Sequence, residues 1–183
     1  GFIEITETKD VLLTKIGAVY AEQMVRRHRL AERMVVDLLN LDLANAHVEA
    51  HQLEHAMSPE LESKIRERLG NPTTSPFGHP IPGSGYKEPK GDLTTLENAV
   101  PKKSYTIERI PEDDQELLSM AVLTYLEWHH ITVSAAIHSH NRRTENWSAL
   151  LRSLPILIHL GRVQCVTIDS RRPSQRPETQ VLQ

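Results

Sequence analysis

Imidazole and carboxylate side chains recur at helical spacing between residues 28 and 55. Three histidines follow one another every four residues with a glutamate on the same face, and an earlier His–Glu pair has the same interval. Because residues three or four apart share one face of an α-helix, each set would form a single stripe. The residues concerned are His28, Glu32, His47, His51, Glu54 and His55.

These residue types are typical ligands of a divalent transition metal, since neutral imidazole offers nitrogen and carboxylate offers oxygen. Two helices joined by a short break tend to pack antiparallel, which would bring the two stripes face to face. With no cysteine nearby, the donor set suits Mn²⁺, Fe²⁺, Co²⁺, Ni²⁺ or Zn²⁺ rather than Cu(I) or a cluster. The alternative is that the histidines are ordinary surface residues and that Glu32 and Glu54 merely pair with nearby arginines.

The composition excludes several classes of protein. The 183 residues include 21 Lys+Arg and 24 Asp+Glu, a net charge of −3, which argues against a free-standing, strongly basic nucleic-acid module. No apolar run approaches the ~20 residues of a membrane-spanning helix. The single cysteine, Cys165, excludes an internal disulfide framework and favours a reducing, cytoplasmic setting.

The elements that must position the ligands can be predicted from local signals. Apolar residues at intervals of three and four predict helices, and β-prone residues on either side of a polar turn predict a hairpin. Thr14 is expected to cap the first helix, and Ser58 to cap the third with Pro59 at its first position. The predicted elements are a hairpin over residues 2–13 and helices over residues 15–39, 43–56 and 59–69.

The chain changes character after the third helix. Four prolines between residues 71 and 83 forbid a helix and favour an ordered, extended loop. The units predicted beyond it are a linker over residues 84–100, a strand over 104–110, a helix over 112–128 and a strand over 131–137. The polar residues 169–183 are expected to form a disordered tail.

Three motifs occur in an order that is typical of one family. Residues 28–33 followed by 38–42 are similar to a dimerisation helix, residues 47–55 to a metal-ligand helix, and the proline-rich residues 71–83 to the loop after a third helix. Together they resemble the diphtheria toxin repressor family of iron- and manganese-dependent transcriptional repressors. The resemblance covers about residues 1–83 and is weak over residues 101–168.

The resemblance implies a mainly α architecture. Residues 1–13 would be the wing of a winged helix-turn-helix whose other helices are expected to lie before Gly1, outside this chain. Residues 14–83 would be a three-helix metal-binding and dimerisation domain. Residues 84–100 would be a linker, and residues 101–168 a small, mostly β, SH3-like domain.

The resemblance also implies a function. Family members are homodimers that bind operator DNA when Mn²⁺ or Fe²⁺ is bound, with Zn²⁺, Co²⁺ or Ni²⁺ as possible surrogates, and neither enzymatic activity nor membrane association is expected. Carried over residue by residue, the family's ligands fall into one group of His28, Glu32 and His47 and an effector group of His51, Glu54 and His55.

The two branches of the family have different ligands at the position that His51 occupies in this chain. His51 stands where the iron branch usually has cysteine and the manganese branch usually has glutamate, so the preferred metal stays open. The family's effector site also takes a ligand from the N-terminal helix. Two readings from other classes remain: a helical metal-dependent hydrolase, which would need an open coordination position and a general base, and a plain helical dimerisation module.

Overall fold

A β-hairpin and three α-helices form the N-terminal half of the chain, and a four-stranded antiparallel sheet follows them. The computed structural model describes residues 1–91, 93–100, 103–111, 123–124, 126–128, 132–134, 136–138 and 164–167. None of the helices described there is long and apolar enough to cross a membrane. The predicted fold class, mainly helical with an N-terminal hairpin, is confirmed.

The helices are α1 (Lys15–Arg33), a π-helix (Met34–Leu38), α2 (Leu43–Ala56), α3 (Pro59–Arg68) and a 3₁₀-helix (Leu96–Asn98). The strands are β1 (Ile3–Ile5), β2 (Val11–Leu13), β3 (Leu93–Thr95), β4 (Ser104–Arg109), β5 (Ala136–His138) and β6 (Gln164–Thr167). Strand β1 pairs with β2, and the other strands form a sheet of order β3-β6-β4-β5 in which all neighbours are antiparallel.

The hairpin packs tightly on the first turn of α1. As predicted, Thr14 caps this helix: its side-chain oxygen accepts a hydrogen bond from the backbone N–H of Gly17 at 3.0 Å. A Cβ atom on Gly17 would lie 1.9 Å from the carbonyl oxygen of Phe2, so only glycine permits this approach. The rings of Phe2 and Tyr20 then stack with their centroids 5.1 Å apart.

The end of α1 differs from the sequence prediction of one helix over residues 15–39. The last turn widens into the π-helix, in which the N–H of Leu39 donates to the carbonyl of Met34, five residues earlier. Val35 is buried in this turn, and Asn40 adopts a left-handed φ of 57° that ends it. Val35 belongs to the same buried cluster as Tyr105 and Ile107 of the sheet, a contact that no local pattern of the sequence reveals.

Helix α3 is joined to α1 by both apolar and charged contacts. Ile65 belongs to a buried cluster with Leu30 of α1. Glu62 accepts hydrogen bonds from Arg26 at 2.5 Å and Arg27 at 3.0 Å. Partial burial tends to raise the pKa of the Glu62 carboxyl, but these two guanidinium groups outweigh it and hold the pKa below its usual range. The three helices are thus one packed unit.

The sheet shares a core with the helices through the proline-rich loop. Phe77, fully buried, packs with Val35 and with Ile107 of β4, and its carbonyl accepts a hydrogen bond from the N–H of Ile110 at 2.9 Å. Gly78 has a φ of +86°, and a Cβ atom there would lie 1.9 Å from the carbonyl oxygen of Glu108. The predicted ordered loop therefore joins the helical and β regions.

The predicted linker over residues 84–100 contains regular structure at residues 93–98. Residues 93–95 form strand β3, which pairs with β6, and residues 96–98 form the 3₁₀-helix. The glycines, proline and charges of this segment are typical of a linker. What makes three of its residues a strand is a pairing partner about 70 residues away, which local composition does not contain.

Other predictions for the C-terminal region are met in part. The strand expected over residues 104–110 is β4, and β5 lies at the end of the strand expected over residues 131–137. Residues 123–124 and 126–128 have helical backbone, and the rest of the predicted helix lies outside the described residues, as does the tail 169–183. The SH3-like domain stays a prediction.

Candidate metal centre

Helices α1 and α2 bring all of the predicted ligands to one side of the helical unit. His28 and Glu32 lie on α1, and the other four residues lie on α2. His28 is opposite Glu54, and Glu32 is opposite His47, so the two helices run antiparallel as the short break between them predicts. Small residues of α2, such as Ala46 and Ala50, are fully buried and allow the close approach.

The buried group consists of His28, Glu32 and His47. Glu32 Oε1 lies 3.0 Å from His28 Nε2 and 3.1 Å from His47 Nδ1, and these two nitrogens are 3.1 Å apart. The Glu32 side chain is 0% exposed. Its second oxygen, Oε2, is buried and has no hydrogen-bond partner among the described residues. A carboxylate in this environment needs a further cation or donor.

The electrostatics of this group favour a positive charge beside the Glu32 carboxylate. Burial tends to lower the pKa of His28, but hydrogen bonds to Glu32 and Glu54 and their charges outweigh burial and raise it. Burial likewise tends to raise the pKa of Glu32, and the hydrogen bonds from His28 and His47 outweigh it and lower the pKa. A proton on His28 therefore neutralises Glu32 at the place where a metal ion would.

The exposed group consists of His51, Glu54 and His55. Glu54 Oε1 lies 3.3 Å from His51 Nδ1 and 3.3 Å from His55 Nε2. The two imidazoles are 70% and 66% exposed, whereas Glu54 is 9% exposed. Ligand atoms of His51, Glu54 and His28 lie within 4.8 Å of one another, and His55 is not part of that converging set. His28 thus faces both groups, which the residue spacing did not predict.

In the described part of the chain, Glu32 and Glu54 lie beside histidines. Glu32 and Glu54 both accept from histidines, and Arg33 pairs instead with Asp37 at 3.1 Å. Nitrogen and oxygen donors without sulfur fit a divalent transition ion such as Mn²⁺ or Fe²⁺, as does Glu32 Oε2, which has no hydrogen-bond partner among the described residues. The residues present therefore fit a resident metal.

Two supporting residues lie outside the predicted ligand set. The carboxylate of Glu127 accepts a hydrogen bond from the N–H of Leu43, the first residue of α2. His79 Nε2 donates to the carbonyl of Ile110 at 3.0 Å, and burial lowers the pKa of His79. The sequence offers no signal for either role, because each partner is more than 30 residues away.

Comparison with known proteins identifies the helical unit. Residues 14–83 match the family described as iron dependent repressor, metal binding and dimerisation domain. This stretch is similar to that family's metal-binding and dimerisation domain. The iron-dependent repressor IdeR of Mycobacterium tuberculosis is 43% identical over 83 residues, 45% of this chain and 36% of that protein. The diphtheria toxin repressor of Corynebacterium diphtheriae is 39% identical over 83 residues, 45% of this chain and 37% of that protein.

Solved structures extend the likeness to manganese-dependent repressors. A manganese-dependent transcriptional repressor in complex with manganese has a TM-score of 0.69 and 26% identity, covering 92% of this chain and 78% of that one. ScaR with bound Cd²⁺ has a TM-score of 0.55 and 30% identity, covering 75% and 62%. The chain spans about a third of the length of the curated relatives it matches. These relatives are repressors, and the hydrolase reading finds no support among them.

Proposed function

We propose that this chain is the metal-sensing and dimerisation part of a metal-dependent transcriptional repressor. The observation that carries the proposal is the fully buried Glu32 carboxylate between His28 and His47, with one oxygen unpartnered among the described residues. Two imidazoles and a carboxylate on two packed helices are what a resident Mn²⁺ or Fe²⁺ requires. Relatives named for iron and for manganese dependence support both ions as candidates.

The proposed ligands divide between the two groups. His28, Glu32 and His47 would hold one ion, and His51, Glu54 and His55 would hold a second, effector ion. A bound divalent ion would supply the charge that neutralises the buried carboxylate. Because the residues of the buried group lie on both α1 and α2, an ion bound there would hold the two helices together and stabilise the folded chain by mass action.

The proposed partners follow from the relatives and from the surface. Exposed apolar side chains on α1, including Ile16 at 68% and Val19 at 67%, leave a face that a two-fold symmetric interface could bury. Operator DNA is the partner proposed for the regulator as a whole, with metal binding and DNA binding linked by a coupling free energy of about 1–3 kcal/mol. Such a regulator needs no catalysis, and we assign it to the cytoplasm, where its DNA lies.

The experiment combines a metal titration with a measurement of mass. Mn²⁺, or Fe²⁺ without oxygen, is titrated into chelator-treated protein by calorimetry, and sedimentation velocity is run with and without the ion. The expected result is saturable binding and a dimer at micromolar concentration. Failure of both ions to bind, in a protein whose circular dichroism shows it to be folded, would contradict the metal-sensing role, and a monomer throughout would contradict the dimer.

A further inference from the structure

The carboxylate of Glu54 has one oxygen directed at each ligand group. Oε2 lies 2.7 Å from Nδ1 of His28, on α1. Oε1 lies 3.3 Å from nitrogens of both His51 and His55, on its own helix α2. Since the side chain is only 9% exposed, bulk water does not compete freely for either oxygen. The two groups are therefore joined by a single, mostly buried residue.

The opposite ring nitrogens of His28 have different neighbours. Nε2 faces Glu32 Oε1 at 3.0 Å and His47 Nδ1 at 3.1 Å, inside the buried group. Nδ1 faces an oxygen of Glu54 at 2.7 Å. Each ring nitrogen of His28 therefore lies beside a carboxylate oxygen, which can only accept, and a doubly protonated ring satisfies both contacts in the metal-free chain. An ion bound at Nε2 would displace the hydrogen there and leave the one on Nδ1, which donates to Glu54.

We propose that Glu54 is a positioning residue for the buried group as well as a ligand in the exposed group. Through Oε2 it fixes the tautomer and orientation of His28, and through Oε1 it faces the second ion. A ligand histidine is commonly held in this way by an outer carboxylate, and losing that partner lowers metal affinity about 10- to 100-fold. The inference rests on the proposed function and adds that the two groups are not independent.

A competing arrangement makes the opposite demand on His28. A ring nitrogen of His28 also converges with ligand atoms of His51 and Glu54, within 4.8 Å, so all three could ligate one ion directly. Nδ1 is the nitrogen that lies beside Glu54. Nδ1 would then lose its hydrogen, and Nε2 would present an N–H to the buried group. A neutral ring cannot satisfy both arrangements, so the position of the hydrogen on bound His28 distinguishes them.

The first experiment removes the exposed group and then changes Glu54. In a His51→Ala, His55→Ala background, only the buried group keeps its full set, so any effect of Glu54 on Mn²⁺ affinity acts through that group. We expect Glu54→Ala to weaken binding about 10- to 100-fold. Glu54→Gln keeps an acceptor oxygen without the charge, and we expect a smaller loss. Glu49→Ala removes an exposed charge from the same helix and should leave the affinity within twofold.

Two results of this experiment would overturn the proposal. One is a Glu54→Ala affinity equal to that of the background. The other is an equal loss in Glu54→Ala and Glu54→Gln, since that would show that charge alone matters and that His28 needs no acceptor. If Glu54→Ala does not fold, the comparison of Glu54→Gln with Glu49→Ala remains. An Mn²⁺ affinity of Glu54→Gln equal to that of Glu49→Ala would then overturn the proposal.

A second measurement uses the unmutated chain. Zn²⁺ serves as a diamagnetic probe, and ¹⁵N NMR of the His28 ring reports which nitrogen carries hydrogen. The proposal expects a protonated Nδ1 and a metal-bound Nε2, and the reverse assignment would overturn it. If Mn²⁺ and Zn²⁺ do not bind at all, the proposed function fails. If they bind and the Glu54 variants or the tautomer disagree, this inference alone fails.

Discussion

The two ligand groups have similar residue types and spacing but very different surroundings. Glu32, at the centre of the buried group, is 0% exposed and has imidazoles from two helices within 3.1 Å. In the exposed group both His51 and His55 come from α2 and lie largely in solvent. The difference teaches that helical spacing aligns ligands, whereas packing of a second helix decides whether they are preorganised.

Removing Glu32 should have the largest effect on the buried group. Glu32→Ala deletes a carboxylate that contacts both His28 and His47. We expect Mn²⁺ affinity of this group to fall about 100-fold, or about 2.8 kcal/mol. Calorimetric titration measures it, and Glu49→Ala on the exposed face of α2 is the control. Equal losses in both variants would show that the buried group is not a metal site.

Acid should have the second-largest effect. It should weaken metal binding by the buried group, beginning at a higher pH than the pKa of free histidine suggests. The pKa of His28 is raised above its ordinary value of about 6.5, so its proton competes with metal already above that pH. Apparent Mn²⁺ affinity should therefore fall as pH decreases through this region, by more than one proton per ion because His47 also takes part. A flat affinity between about pH 5.5 and 7.5 would point to carboxylate ligands alone.

In the metal-free chain, the proton on His28 that competes with metal instead stabilises the fold. Because the folded pKa of His28 is raised, its contribution is fully present below about pH 6.5 and is lost as pH rises through the folded pKa. Glu32, with a lowered pKa, contributes above the ordinary carboxyl range and loses its contribution in acid. Thermal melts across pH, with chelator present, should therefore show a stability maximum on the acidic side of neutrality.

The exposed group should respond more weakly to loss of one imidazole. His51→Ala and His55→Ala each remove a solvent-exposed ligand that water can replace, and we expect a loss of about tenfold, or about 1.4 kcal/mol. The effect should be confined to the second ion in a two-site titration. Unchanged affinity in both variants would remove the assignment of an effector site to these residues.

The smallest effect on metal binding is expected at the junction with the sheet. Gly78→Ala would place a Cβ atom against the carbonyl of Glu108 at a φ of +86°, whereas Gly70, with a similar φ of +73°, has nothing within 4 Å. Gly78→Ala should therefore lower stability more than Gly70→Ala, whose cost is about 1–2 kcal/mol from the backbone alone. Mn²⁺ affinity should stay within twofold in both. A large loss of affinity in Gly78→Ala alone would show that the sheet helps to form the site.

Much of the helical unit could be predicted because its signals are local. The bounds of α2 and both hairpin strands agree with the sequence pattern, since a capping side chain or a polar turn marks them. Strand β3 and the contact of Glu127 with Leu43 could not be predicted, because each depends on a partner far along the chain.

The candidate site could also be predicted only in part from the sequence. Spacing alone grouped the six residues on two stripes, and the structure places them together, although their role as ligands stays a prediction. The spacing did not show that His28 faces Glu54 as well as Glu32, because that depends on how α1 and α2 cross. Burial of Glu32, the decisive feature, is a property of the packed helices and not of any segment of sequence.

The π-helix at Met34–Leu38 makes this part of the chain sensitive to its length. Each residue of an α-helix turns the chain by about 100°, so the wider turn sets the direction in which the connection to α2 leaves α1. Deleting one residue here would restore ordinary α geometry, and the connection to α2 would then leave α1 from a different point and in a different direction. The contact of His47 with Glu32 therefore depends on the length of this segment as well as on its sequence.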